Sequence, residues 1–205
     1  MRKLLWCGLI AGPLFAAVLL IAGATRPGFD AVRHPGSSLA LGPGGWIQSA
    51  NFVVAGVLSL AFAISLVFLR GTRKAWMIAI WGIGLVGAGI FVADPVSGYP
   101  PGTPPIPVPT FSGRMHDLLS LAGFLAMTGA IFSFAGGRGG GRGRGWVIYS
   151  ILSGILFVGS LFLATQGFAQ VEPWVAIAGL LQRVAVFTAW AWLGALAISA
   201  IRHTS

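Results

Sequence analysis

Four acidic residues and three histidines are all that 205 residues offer for proton chemistry. Two of the acids and one histidine flank a single proline-rich stretch, FVADPVSGYPPGTPPIPVPTFSGRMHD, running from Phe91 to Asp117. Asp94 stands near its start, and Arg114, His116 and Asp117 stand at its end. A carboxyl beside an apolar wall can serve as a general acid, and a neighbouring carboxylate or neutral imidazole can serve as the base. Asp94 and Asp117 are therefore the expected acid/base pair, with His116 assisting. Arg183 or Arg33 would stabilise developing negative charge. On a helix, Asp117 and Ser120 are three residues apart and His116 and Ser120 four, so one turn can present all three inward. Gln48, Asn51, Gln166, Glu172, Gln182 and His34 complete the expected substrate contacts. Such a set suits cyclisation, isomerisation or epoxide opening on a hydrophobic small molecule or lipid, with no metal or other cofactor.

These residues must be positioned by an apolar scaffold. The chain is 56% hydrophobic and only 8% charged, too apolar for a surface solvated by water on all sides. Runs of about 20 apolar residues, the length that crosses a bilayer core, occur six times: 4–24, 46–69, 75–93, 115–135, 146–168 and 174–201. The expectation is a single all-α domain over residues 1–205, a bundle of six transmembrane helices. Arg2 and Lys3 followed by an apolar core resemble a secretory signal. That run is long enough to span, however, and is expected to stay as the first helix. Cys7 is the only cysteine, which excludes a disulfide within the chain and leaves the thiol as apolar filler.

The net charge of +9 follows the same frame. Arg2, Lys3, Arg70, Arg73, Lys74, Arg138, Arg142, Arg144 and Arg202 fall on one side of the six runs. Arg26, Arg33, Arg114 and Arg183 fall toward the other side, together with Asp30, Asp94, Asp117 and Glu172. The whole net charge thus belongs to one face, which the positive-inside rule makes cytoplasmic along with both termini. The expected location is the cell membrane, with the active face extracytoplasmic. The GGRGGGRGRG segment joining runs 4 and 5 has no Lys followed by Ser or Thr after its glycines, so it is not a phosphate-binding P-loop. It reads as a flexible linker whose arginines meet anionic lipid headgroups, not nucleic acid. Trp6, Trp46, Trp76, Trp146 and Trp174 open their runs as interfacial anchors. Gly8-x-x-x-Gly12 and Gly84-x-x-x-Ala88 allow close helix approach.

On the outer side, residues 25–45 and 94–114 form connections too long to be idle. In the first, Leu39-Ala-Leu41 could dip into the interface as a short re-entrant piece. The second has six prolines between Pro100 and Pro109 and should be a stiff rim with Ile106, Val108 and Phe111 facing lipid or protein. Arg183 lies about nine residues into its run. A cation at that depth costs at least about 2.5 kcal/mol, so it should face the interior and a partner, with an ion pair to Asp94, Asp117 or Glu172 weighed against an anion-binding role.

Alternatives come from other classes. A metal-dependent lipid hydrolase would use His34, Asp94, His116 and Asp117 as ligands. There is no HExxH pair, and adjacent side chains on a helix point about 100° apart. A non-enzymatic binder or assembly subunit would use the same cluster to hold a ligand or lock helices. A full transport path is not expected, because the inner halves of the runs offer mostly Ser and Thr. With Lys3 and Lys74 at helix ends, a retinal Schiff base has no lysine. A haem held by His34 and His116 is a further alternative.

The segments RHPGSSLALGPGGWIQSANF, ADPVSGYP and GRMHDLLS, in this order on six spans, resemble the prokaryotic membrane family known as domain of unknown function 998, which is Frag1-like. The resemblance covers nearly the whole chain. It implicates Arg33, His34, Pro35, Ser38, Gly42, Asp94, Pro95, His116 and Asp117, and implies the topology without assigning an activity. The proline-rich insert after Gly98 is long for that family.

Overall fold

The computed structural model describes residues 1–136 and 143–203. Arg138 and Arg142 of the glycine/arginine linker lie outside the described residues. Six α-helices follow one another: α1 (Leu5–Thr25), α2 (Trp46–Arg70), α3 (Trp76–Ile90), α4 (Phe111–Ala135), α5 (Arg144–Phe168) and α6 (Ala178–Arg202). Among the described residues there is no strand, only an isolated bridge between Val96 and Tyr99. Five helices, all but α3, are long and apolar enough to cross a membrane, which makes this a multi-pass membrane protein. The helix α3 has 15 residues, or about 22 Å at 1.5 Å per residue. Each helix packs on its neighbours in sequence, and α1 closes the ring against α6.

The helix ends depart from the apolar runs where distant residues cap them. The third run was expected to reach Ala93, but α3 stops at Ile90 and Phe91 is already extended. The two carbonyls that follow it are taken by the next helix: Phe91 O pairs with His116 Nδ1 at 2.8 Å, and Ser112 Oγ donates to Val92 O at 2.9 Å. The fourth run was expected from Met115, whereas α4 begins at Phe111 because Thr110 caps it, accepting the Gly113 N–H at 3.0 Å. Capping of this kind satisfies one of the donors that a helix start leaves open. The last run opens as a 3-10 turn, Trp174–Ile177, before α6. The piece expected to dip into the interface is instead the 3-10 turn Gly36–Ala40, and Leu39 is fully buried in the bundle core. Apolar burial, not lipid contact, accounts for that Leu.

Glycine sets the spacing around α3. A Cβ on Gly82 would lie 2.8 Å from the Gly56 carbonyl oxygen of α2, and a Cβ on Gly56 would lie 2.6 Å from the Gly82 oxygen. On the opposite flank, a Cβ on Gly84 would meet the Leu119 oxygen of α4 at 2.7 Å. The short helix is therefore wedged between two backbones, as small-residue seams permit in membranes. Among the expected anchors, Trp6, Trp46 and Trp76 face outward, while Trp146 Nε1 donates to Phe134 O.

Gly82→Val should separate α2 from α3 and destabilise the fold by about 1–3 kcal/mol, the usual cost of overpacking. Thermal unfolding in detergent checks it against Gly159→Ala, where a Cβ meets nothing within 4 Å and the midpoint should hold or rise, since Ala is the better helix former.

Candidate functional site

Two long connections close one end of the bundle, and the sequence brings both onto helix termini. The first is tied to α6. Gly179 N–H donates to Arg33 O at 3.2 Å and Leu180 N–H to Val32 O at 2.8 Å, so loop carbonyls cap the first turn of α6. Gly36 N–H donates to Gln182 Oε1 at 2.8 Å. Arg183 Nη1 donates to His34 O at 3.0 Å and to Gly179 O at 2.9 Å. A side chain at Gly179 would run into the His34 carbonyl, so the loop sits this close only over glycine. Arg26 binds the carbonyls of Leu39, Leu41 and Pro43 and shapes the rest of the segment.

The second connection is tied to α4 and to the first. Asp94 Oδ2 accepts the Thr110 N–H at 2.9 Å, and Oδ1 accepts the Thr110 hydroxyl at 2.7 Å. A side chain on Gly113 would fall on this carboxylate. The position also sets a negative charge against the positive end of α4. Tyr99, buried, packs edge-on to Phe29 at 5.2 Å and against His34 at 5.1 Å. The Arg183 guanidinium carbon lies 5.5 Å from the centre of the Phe29 ring, within reach of a cation–π contact.

Beneath this cap lies a cavity of about 480 Å³ to which all six helices contribute, within the range of small-molecule sites. Phe15, Leu19, Phe52, Phe124, Leu161 and Val186 line it. So do Trp81, Gly84, Leu85 and Ala88, one stripe of α3 about 10 Å long. Polar residues gather at the mouth: Asp94, Arg114, His116, Asp117, Ser120, Thr165, Gln182 and Arg183. His116 is 5% exposed and packs edge-on to Phe52. Because a carbonyl only accepts, its bond to Phe91 O puts a proton on Nδ1 and leaves the Nε2 lone pair free in the neutral ring. Asp117, the next residue, is exposed at the mouth with no hydrogen bond from the described residues.

The structure thus brings Asp94, His116, Asp117, Ser120, Gln182 and Arg183 to one cavity. It does not bring Arg33, His34, Gln48, Asn51, Gln166 or Glu172 there. Asn51 Nδ2 donates to Phe15 O and Gln48 Oε1, so that pair fastens α1 to α2. Arg33 lends its carbonyl to α6, Gln166 lends its own to Val171 N–H, and Glu172 is exposed in a short turn. The ion pair expected of Arg183 with Asp94, Asp117 or Glu172 is not made. Its hydrogen bonds go to carbonyls, and Nη2 is buried without a hydrogen-bond partner among the described residues. Among the described residues no three His, Cys, Asp or Glu side chains converge to hold a metal ion. His34 Nδ1 instead accepts the Asp30 N–H at 2.9 Å. Sequence reasoning missed the apolar wall and Ser37, Pro107 and Pro109 at the rim. Nothing distinguishes Phe15 or Leu161 in sequence from the apolar residues beside them.

A helical membrane bundle with a capped, mostly apolar cavity is the class that fold and site define. The chain belongs to the family described as protein of unknown function (DUF998), whose model matches residues 9–199. No curated protein and no solved structure matches it.

His34 gives this cap a pH dependence. Burial lowers its pKa from 6.5, and Arg33 and Arg183 act the same way against the opposing pull of Asp30 and the Ser97 backbone. Above that value the ring is neutral in both folded and unfolded chains. As pH falls below it the unfolded chain takes up the proton first, so stability declines. The melting temperature should drop on acidification from pH 7 toward the lowered value, and this part of the drop should vanish in His34→Gln.

Proposed function

We propose that the protein is a membrane-embedded enzyme that performs metal-free acid–base chemistry on a hydrophobic small molecule or lipid held in the cavity. The observation that carries this reading is His116. It is buried at the head of an apolar chamber, with Nδ1–H directed to Phe91 O and Nε2 unoccupied by any described residue. A neutral imidazole oriented in this way is a general base. Asp117 supplies the second proton-transferring group. His116 Nε2 removes a proton from one substrate atom and the Asp117 carboxyl returns one to another, so composition is unchanged, the balance of an isomerisation or cyclisation. With water as co-reactant the same pair opens an epoxide. Asp94, held twice by Thr110, orients the start of α4, and Arg183 orients the cap.

In this reading α3 crosses with the other five helices. The cluster of cations at the α2–α3 turn and the chain termini is cytoplasmic, and the capped mouth faces outward across the cell membrane. Bilayer lipids are its surroundings, and nucleic acid is not a partner. One observation favours a second reading, ligand holding without chemistry. Two of the charged side chains at the mouth, Asp94 and Arg183, are spent on fastening loops.

Lipid and metabolite mass spectrometry of cells producing wild type, His116→Gln or Asp117→Asn, at matched folded protein, separates the two. Loss of a proton-transfer group should lower turnover by roughly 10²-fold or more. The same compound should then accumulate with both substitutions. Profiles identical to wild type for both would leave the holding role.

A further inference from the structure

The bundle is not equally closed on all sides. In the half away from the cap, α4 and α5 touch: a Cβ on Gly154 would meet the Phe132 ring at 2.5 Å, and the tilted rings of Phe124 and Phe157 lie 6.1 Å apart. Nearer the mouth the relation changes. Leu118, Leu121 and Leu125 form one stripe at helical spacing on the outside of α4, each more than half exposed. Of these, Leu121 also lines the central cavity. On α5, Ile155, Val158, Phe162 and Thr165 form the corresponding outward stripe, and Thr165 likewise lines the cavity. A residue that belongs both to the bilayer-facing surface and to the wall of an internal chamber marks an opening between them.

The proline-rich segment forms part of the rim of the same cavity. Pro107 and Pro109 line the cavity, whereas Ile106, Val108 and Phe111 are turned out, 63%, 72% and 75% exposed. Alternate residues of an extended chain point to opposite sides, so the segment has a cavity face and an apolar outer face. That outer face continues the apolar surface of α4.

We propose that the gap between α4 and α5 is a lateral portal, through which the acyl or other apolar chain of a bilayer-dissolved amphiphile enters the cavity from the lipid phase. The molecule lies with its apolar chain among the α3 and α4 walls and its polar end beside His116 and Asp117. This rests on the reading that the cavity takes a hydrophobic molecule, but not on any chemistry occurring there. Asp117, exposed and cavity-lining, is the first polar group such a molecule meets.

A fluorophore on a single cysteine tests the portal. In a Cys7→Ala background, Ser120→Cys places a bimane label on the cavity wall, Leu118→Cys on the bilayer face and Glu172→Cys in the solvent-exposed turn. Each is reconstituted in phosphatidylcholine vesicles with brominated or unbrominated acyl chains. The expected result is a loss of fluorescence at Ser120 comparable to that at Leu118, none at Glu172, and recovery at Ser120 when Leu121→Phe fills the gap. Ala88→Cys, buried on the α3 wall of the cavity, repeats the reading should the Ser120 variant fail to fold. Cavity labels no more quenched than Glu172, or a loss that Leu121→Phe leaves unchanged, overturns the portal. Either result is independent of the metabolite profiles. A quenched cavity with wild-type metabolites keeps the portal and discards the enzyme, and the converse keeps the enzyme with another entrance.

Discussion

Helix ends near a bilayer face a constraint that helix middles do not: their unpaired N–H and C=O groups must find partners where water is scarce. At the mouth of this bundle α3 ends and α4 and α6 begin, and much of what looks like polar decoration answers that demand. Phe91 O and Val92 O are met by His116 and Ser112. Thr110 caps α4 and is itself held by Asp94. The start of α6 is met by the carbonyls of Val32 and Arg33. The cap stays in place because these pairings leave the loops little other choice, and the cavity exists because the cap stays in place.

His116 and Asp94 therefore each have a structural duty before any chemical one. For His116 the two are compatible. The bond that ends α3 uses Nδ1, and the ring's other nitrogen is left for the cavity. For Asp94 both oxygens are engaged by Thr110, so its charge is directed at a helix start. Arg183 illustrates the same economy. A buried cation ordinarily takes a carboxylate partner, yet two carbonyls and the Phe29 ring share this one. The carboxylate whose field reaches it is Asp30, in the same loop it fastens.

The helices themselves were legible, because runs of apolar residues long enough to span leave few alternatives. Their ends were less so. Asp94 reaches Thr110 across 16 residues and His116 reaches Phe91 across 25, and no local pattern announces such partners. Rarity pointed to Asp94, His116 and Asp117, since polar side chains in this setting need a reason, and all three line the cavity. It could not say which reason. Gln48, Asn51 and His34 are polar and buried too, but Asn51 serves Phe15 O and Gln48, and His34 serves the Asp30 N–H. The chamber wall was invisible. Leu19 faces the cavity and Leu20 is exposed, a difference made by helix rotation and not by residue type.

The proline-rich roof carries a further consequence in its own backbone. Between Pro100 and Pro109, six of ten residues are proline, and each lacks the N–H that other residues have. Such a segment can lie at the edge of hydrocarbon with few orphaned donors, so it needs neither a helix nor a neighbouring strand to be tolerated there. What remains is a chain of carbonyl oxygens with almost nothing to offer in return. A molecule crossing that threshold meets a surface that accepts hydrogen bonds and scarcely donates them.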